Sequence, residues 1–211
     1  MEISWLGHSC FRLRGRTVSL LTDPYASSSG YTLGSVSADI VTVSNSHPHH
    51  NATEAVGGQA VILDGPGEYE VKGVVITGFR TDHGKSAGEA VRNTAFIVEM
   101  DDVTVCHLGD LGTVLTAEQI ELSKEVNVLL VPVGGHCTIA PAQAAEVISQ
   151  IEPKVIIPMH FATEVSTADL ESVDHFLREM GLTATEPQPR LVVTVASLPA
   201  EPTVTVLKYR P

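Results

Sequence analysis

The sequence predicts a layered α/β fold, and three observations carry that expectation. Eight short runs of β-branched and apolar residues recur between positions 17 and 157, each followed within two residues by Gly, Pro, Asp or Asn. Helix-like segments are concentrated in the second half, where they alternate with such runs. No repeat, low-complexity tract or linker divides the 211 residues, whose 43% apolar content suffices for a sizeable core. One domain spanning 1–211 is the expectation.

In chain order, strands are expected at 17–21, 40–43, 60–63, 71–76, 94–99, 103–107, 128–131 and 155–157. A helix at 116–124 opens on Thr116, whose hydroxyl can cap the first free N–H groups. A second, at 141–150, begins with Pro141 in the first turn, where a missing N–H costs no hydrogen bond. A third, at 167–180, ends at Gly181, which can take the left-handed conformation of a helix cap. Two further strands are expected at 190–195 and 203–208. Runs of this kind suit a doubly wound sheet and a sandwich of two sheets equally well, so pattern alone leaves the layer order open.

Composition narrows the function classes. The longest apolar runs, such as 128–133, fall far short of the roughly 20 residues that span a bilayer. The start Met1-Glu2-Ile3-Ser4-Trp5 lacks a basic leader, and Gly7, His8 and Arg12 interrupt any apolar stretch after it, so a cytoplasmic location is expected. Cys10, Cys106 and Cys137 are odd in number and form no Cys-x-x-Cys pair, which fits small buried hydrophobes better than disulfides or a thiolate metal site. A net charge of −12 with 13 scattered Lys and Arg argues against a nucleic-acid partner and leaves a small molecule as the expected one.

Nine histidines in so acidic a chain point to metal chemistry. In Ser44-Asn45-Ser46-His47-Pro48-His49-His50-Asn51 three imidazoles leave the strand at 40–43 together, close enough to converge on one or two divalent ions. In Cys106-His107-Leu108-Gly109-Asp110 a glycine turn can direct a carboxylate back toward a strand end. Ile156-Ile157-Pro158-Met159-His160 ends a buried strand in an imidazole. The repeated arrangement, a strand end carrying His or Asp, says more than any one member.

Six ordered blocks resemble the metallo-β-lactamase superfamily, and most closely its small prokaryotic zinc-dependent hydrolases, with a more distant similarity to ascorbate-phosphate lactonases. They are Trp5-Leu6-Gly7-His8-Ser9-Cys10-Phe11, Leu21-Thr22-Asp23-Pro24, Ala38-Asp39-Ile40-Val41-Thr42-Val43-Ser44, Asp64-Gly65-Pro66-Gly67-Glu68-Tyr69-Glu70, His107-Leu108-Gly109-Asp110 and Ile157-Pro158-Met159-His160. The resemblance spans roughly residues 1–165 and implies an αββα sandwich of two mixed sheets with metals at one edge. It implies that Asn45, His47 and His83 face a first metal, that His49, His50 and His160 face a second, and that Asp110 bridges them. His8, Asp23, His107 and His136 are then candidates for supporting the ligands or lining the substrate pocket.

The family pattern His-x-His-x-Asp-His reads here Asn45-x-His47-x-His49-His50, so two of its four positions differ. Asn offers only a neutral carbonyl oxygen, a weak donor for zinc. His49 in place of the acid leaves Asp110 as the one evident carboxylate, which balances one divalent ion with a hydroxide but not two. One tightly held ion at the three-histidine side is expected, with zinc preferred and manganese or iron compatible. Asp110 and His49 are the expected catalytic pair for hydrolysis of a small ester, lactone, amide or phosphoester. The alternative is a metal-binding relative that has lost turnover through the changes at Asn45 and His49.

Overall fold

The computed structural model describes residues 1–86 and 89–209. Its first half contributes β1 (Glu2–Gly7), β2 (Cys10–Arg14), β3 (Ser19–Thr22), β4 (Val36–Ser37), β5 (Ile40–Thr42), β6 (Val56–Gly57), β7 (Val61–Leu63), β8 (Gly67–Val71) and β9 (Val74–Ser86). The second half contributes β10 (Glu89–Met100), β11 (Val103–His107), α1 (Ala117–Leu122), β12 (Val128–Pro132), α2 (Pro141–Ile151), β13 (Val155–Met159), α3 (Val173–Glu179), β14 (Leu191–Val192) and β15 (Thr203–Val204). One sheet runs β14-β1-β2-β3-β5-β7, the other β15-β13-β12-β11-β10-β9-β8, and both mix parallel with antiparallel pairs.

The two sheets share a core. Ile3, Trp5, Phe11, Leu13, Leu20 and Ile40 of the first pack with Ile76, Phe96, Val105 and Leu129 of the second, as the period-2 alternation of each strand requires. β12 and β13 are buried throughout because helices cover the face away from the first sheet, with Ala144, Val147 and Ile148 of α2 in the same cluster. Among the described residues no helix is long and apolar enough to cross a membrane.

Several elements depart from the sequence expectation for local reasons. The β1–β2 hairpin was not anticipated, because Gly7 and His8 interrupt its apolar pattern; both take positive φ and form the turn itself. The expected strand at 71–76 is split by a turn at Lys72 and Gly73, and β9 then continues through polar residues to Ser86, paired along its length with β10. The third helix starts at Val173 instead of 167, because residues 162–171 bond elsewhere: Thr167 N–H to Ser29, Glu171 N–H to Gly134, and Ala162 N–H to Glu171. Gly181 does close that helix, at φ +72° with its N–H on Arg178. The last two strands shorten to two residues each. Cys10 and Cys106 are buried as expected, whereas Cys137 is exposed.

Candidate metal centre

Strand ends deliver the chemistry to one edge of the sandwich. β1 is followed directly by His8, β3 by Asp23 and β13 by His160, β5 leads into the histidine loop and β11 into Asp110 three residues on, while the outer half of β9 carries His83. His8, Asp23 and His160 all adopt left-handed backbone conformations, with φ of 52°, 40° and 52°. For residues with a Cβ such conformations cost roughly 1–3 kcal/mol each, and the surrounding bonds hold them. The histidine loop is tied down by Ala52 N–H on Pro24 and Ala26 N–H on Pro48.

Asp110 occupies the centre. Its Oδ2 lies 3.5 Å from His50 Nε2 and 3.2 Å from His83 Nδ1, and its Oδ1 lies 3.5 Å from His160 Nε2. Its backbone is fixed by Asn93, whose Oδ1 accepts the Asp110 N–H at 2.9 Å. Gly109 and Gly112 permit the close packing around it: a Cβ at Gly109 would stand 2.3 Å from Ser44, and one at Gly112 would stand 1.8 Å from the His83 carbonyl. Asp110 Oδ1 is buried and has no hydrogen-bond partner, as are His160 Nδ1 and His8 Nδ1.

His50 is oriented from behind. Its Nδ1 donates to Asp23 Oδ2 at 2.8 Å, and Asp23 in turn accepts the Ser44 N–H at 2.8 Å and the Ser44 hydroxyl at 2.5 Å. That bond fixes the tautomer so that Nε2 presents its lone pair to the centre. Burial alone would lower the His50 pKa, but the Asp110 and Asp23 carboxylates outweigh it and raise the value. Burial, only partly opposed by Asp110, pushes His160 down to about 4. Burial and the neighbouring His160, His50, His49 and His47 hold His8 well below the usual histidine range. His8 and His160, whose protonated forms burial disfavours, and His50, where the Asp110 and Asp23 carboxylates favour positive charge, surround a buried carboxylate, a donor set that fits a divalent metal of the zinc, manganese or iron type.

The other expected site residues fall into distinct places. His47, His49, His50, His83, Asp110 and His160 line one cavity of about 200 Å³, together with His8, Cys137 and Ala168. Asn45 is not among the residues that line that cavity: Oδ1 accepts the His47 N–H at 2.8 Å and Nδ2 donates to Asp110 at 3.1 Å. His49 stands at the rim, with Nε2 3.0 Å from the Ser28 hydroxyl. His83 donates Nδ1–H to the Asp110 carbonyl at 2.8 Å, leaving Nε2 for the cavity. His107 lies fully buried beneath the site on the Ser9 carbonyl, and His136 is exposed 3.7 Å from Asp169, outside the cavity lining. Residues the sequence reading passed over are Ser44, Asn93 and Ser28, whose roles follow from contacts between segments far apart in the chain, and Cys137, which was read as core.

Comparison with known proteins places this architecture. The family model for the beta-lactamase superfamily domain matches residues 2–160, and a Thermotoga maritima structure, a candidate Zn-dependent hydrolase of the metallo-beta-lactamase superfamily, aligns at TM-score 0.82 and 40% identity over 98% of this chain and 97% of its own. The chain belongs to the metallo-beta-lactamase superfamily. A UPF0173 protein of Pyrococcus furiosus is 31% identical, covering 81% of this superfamily member and 88% of its relative. A UPF0173 metal-dependent hydrolase of Methanopyrus kandleri is 29% identical over 86% and 94% respectively. Igni18, a metallo hydrolase of Ignicoccus hospitalis, shares the fold at TM-score 0.65 and 20% identity.

Proposed function

We propose that the chain is a metal-dependent hydrolase holding one divalent ion, zinc by preference, between His50, His160 and Asp110. The observation that carries this reading is the meeting of those three side chains, from three separate strand ends, with a buried Asp110 oxygen that lacks any partner. An unpaired carboxylate oxygen in so buried a place is costly unless a cation completes it. An ion there supplies Lewis-acid polarisation and a nucleophile at neutral pH.

The protein's own groups account for the rest of the reaction. His49, kept neutral by burial and by His47 and His50, can accept a proton at its rim position, and Ser28 orients its ring. His47 and His83 direct imidazole edges at a substrate, since each has one nitrogen already engaged: His47 Nδ1 accepts the His49 N–H at 3.2 Å, and His83 Nδ1 faces Asp110. A cavity of about 200 Å³ admits only part of a substrate, which suits a small ester, lactone, amide or phosphoester. The relatives named metal-dependent hydrolases support the reaction class.

The changes at Asn45 and His49 favour one competing reading, a metal-binding relative without turnover. Elemental analysis of protein purified without added metal, followed by assays on ester, lactone, amide and phosphodiester substrates with and without chelator, separates the two. One ion per chain with chelator-sensitive turnover is expected. Bound metal without such turnover on the whole panel would assign the chain to the non-catalytic reading.

A further inference from the structure

Resting on the metal-centre reading above, we propose that His8, at the turn between β1 and β2, is a direct ligand of the ion and takes the position that the family pattern gives to residue 49. One ligand atom each from His8, His50 and His160 lies within 4.8 Å of the others. The His8 ring centroid stands 4.2 Å from that of His160 and 4.8 Å from that of His50, against 5.7 Å from that of His49. Metal bonds of about 2.0–2.1 Å put tetrahedral ligand atoms roughly 3.3 Å apart. The separations of Asp110 Oδ2 from His50 Nε2 and of Asp110 Oδ1 from His160 Nε2, 3.5 Å each, are close to that edge, with the two carboxylate oxygens facing one imidazole apiece. His8, with a ligand atom within 4.8 Å of those of His50 and His160, completes the set by moving inward.

Two features show a residue held for this position. His8 is 3% exposed, and its Nδ1 is buried with no partner, a loss that a coordinate bond would remove. Its backbone carbonyl accepts both the Trp5 indole N–H at 3.0 Å and the His160 N–H at 3.1 Å, so the turn of one sheet is bonded directly to the strand end of the other. His8 and His160 are thereby fixed relative to each other across the sandwich. A third imidazole is also the donor that the charge at this site allows, because it adds a ligand without adding an anion. His49, held instead at Ser28, stays free to take a proton.

The test uses the full chain stripped of metal and reloaded with Zn²⁺. X-ray absorption should count three imidazoles in the wild type, three in His49→Gln and two in His8→Gln. Competition with a chromophoric chelator should show Zn²⁺ affinity falling at least about 100-fold in His8→Gln, beyond the range that loss of a merely supporting residue produces. The same titration should leave His49→Gln within about threefold of wild type. Two imidazoles in His49→Gln, or an unchanged count and affinity in a folded His8→Gln, would overturn the assignment of His8 while leaving the metal centre intact. Failure of the wild type to bind Zn²⁺ at all would overturn both. Should His8→Gln not fold, the count in His49→Gln still decides.

Discussion

At the scale of single residues, the site rests on side chains that hold other side chains. Asp23 has no solvent exposure, yet its carboxyl pKa lies below the usual value, because His107, His50 and Ser44 together outweigh the burial that would raise it. It stays an anion and keeps the His50 lone pair turned toward Asp110. Asp23→Asn can place its amide against His50 and favour the wrong tautomer, so metal affinity should fall about 10–100-fold in a chelator competition. His160→Ala removes a donor outright and should abolish stoichiometric binding in the same titration. His107→Ala should spare it, since His107 meets the Ser9 carbonyl and not the cavity; loss of metal in that variant would refute this placement.

At the scale of elements, the histidine loop after β5 decides how many ions are held. Asn45 spends both ends of its amide on Asp110 and the His47 N–H, so of the three residues expected at a first metal only His47 and His83 line the cavity, while His49, expected at the second, turns to Ser28. Asn45→His restores a nitrogen donor at the first of these positions, and His49→Asp restores a negative charge beside it. Metal content by elemental analysis should rise from one ion per chain toward two, and an unchanged content would mean that the loop conformation, not its donor types, sets the number. Much of this was legible in the sequence. The strands at 103–107, 128–131 and 155–157 are continuous β-branched runs with a turn residue at the end, and each was located to within two residues. Asp110 and His160 follow two of these strands and His50 lies in the loop after β5, and it was the repetition of that arrangement, not any one position, that made them candidates. His8 could not be read that way, because a Gly-His pair at a hairpin turn looks like any other turn, and only the pairing of β1 with β2 brings it to the β13 end. Residues 167–172 were read as helix because their composition allows it, while the bonds that keep them out of the helix come from Ser29 and Gly134, remote in sequence.

At the scale of the whole molecule, the centre joins the two sheets at one edge of their shared core, so the ion and the fold should be linked. His8, Asp23 and His50 come from the first sheet and its loops, and Asp110 and His160 from the second. Free metal at 100 times its Kd adds about 2.7 kcal/mol to stability. For a chain of this size that raises Tm by roughly 5–10 °C. The sign of the pH dependence follows from the metal-free form. His8, His49, His107 and His160 have pKa values below the 6.5 of the unfolded chain, chiefly through burial, with His160 at about 4. Between those limits the unfolded state takes up protons that the folded state refuses, so stability falls as pH drops from about 6.5 toward 4. His50 runs the other way: its value is raised by Asp110 and Asp23, so its contribution is complete below 6.5 and fades as pH rises through the folded value. With four groups against one, calorimetry of chelated protein should show Tm declining across that acid window. The metal-induced gain in Tm should shrink over the same window, because a proton on His50 competes with the ion for Nε2. A chelated Tm that stays flat from pH 6.5 to 4, with an undiminished metal effect, would mean that these imidazoles are not buried around a shared cation site.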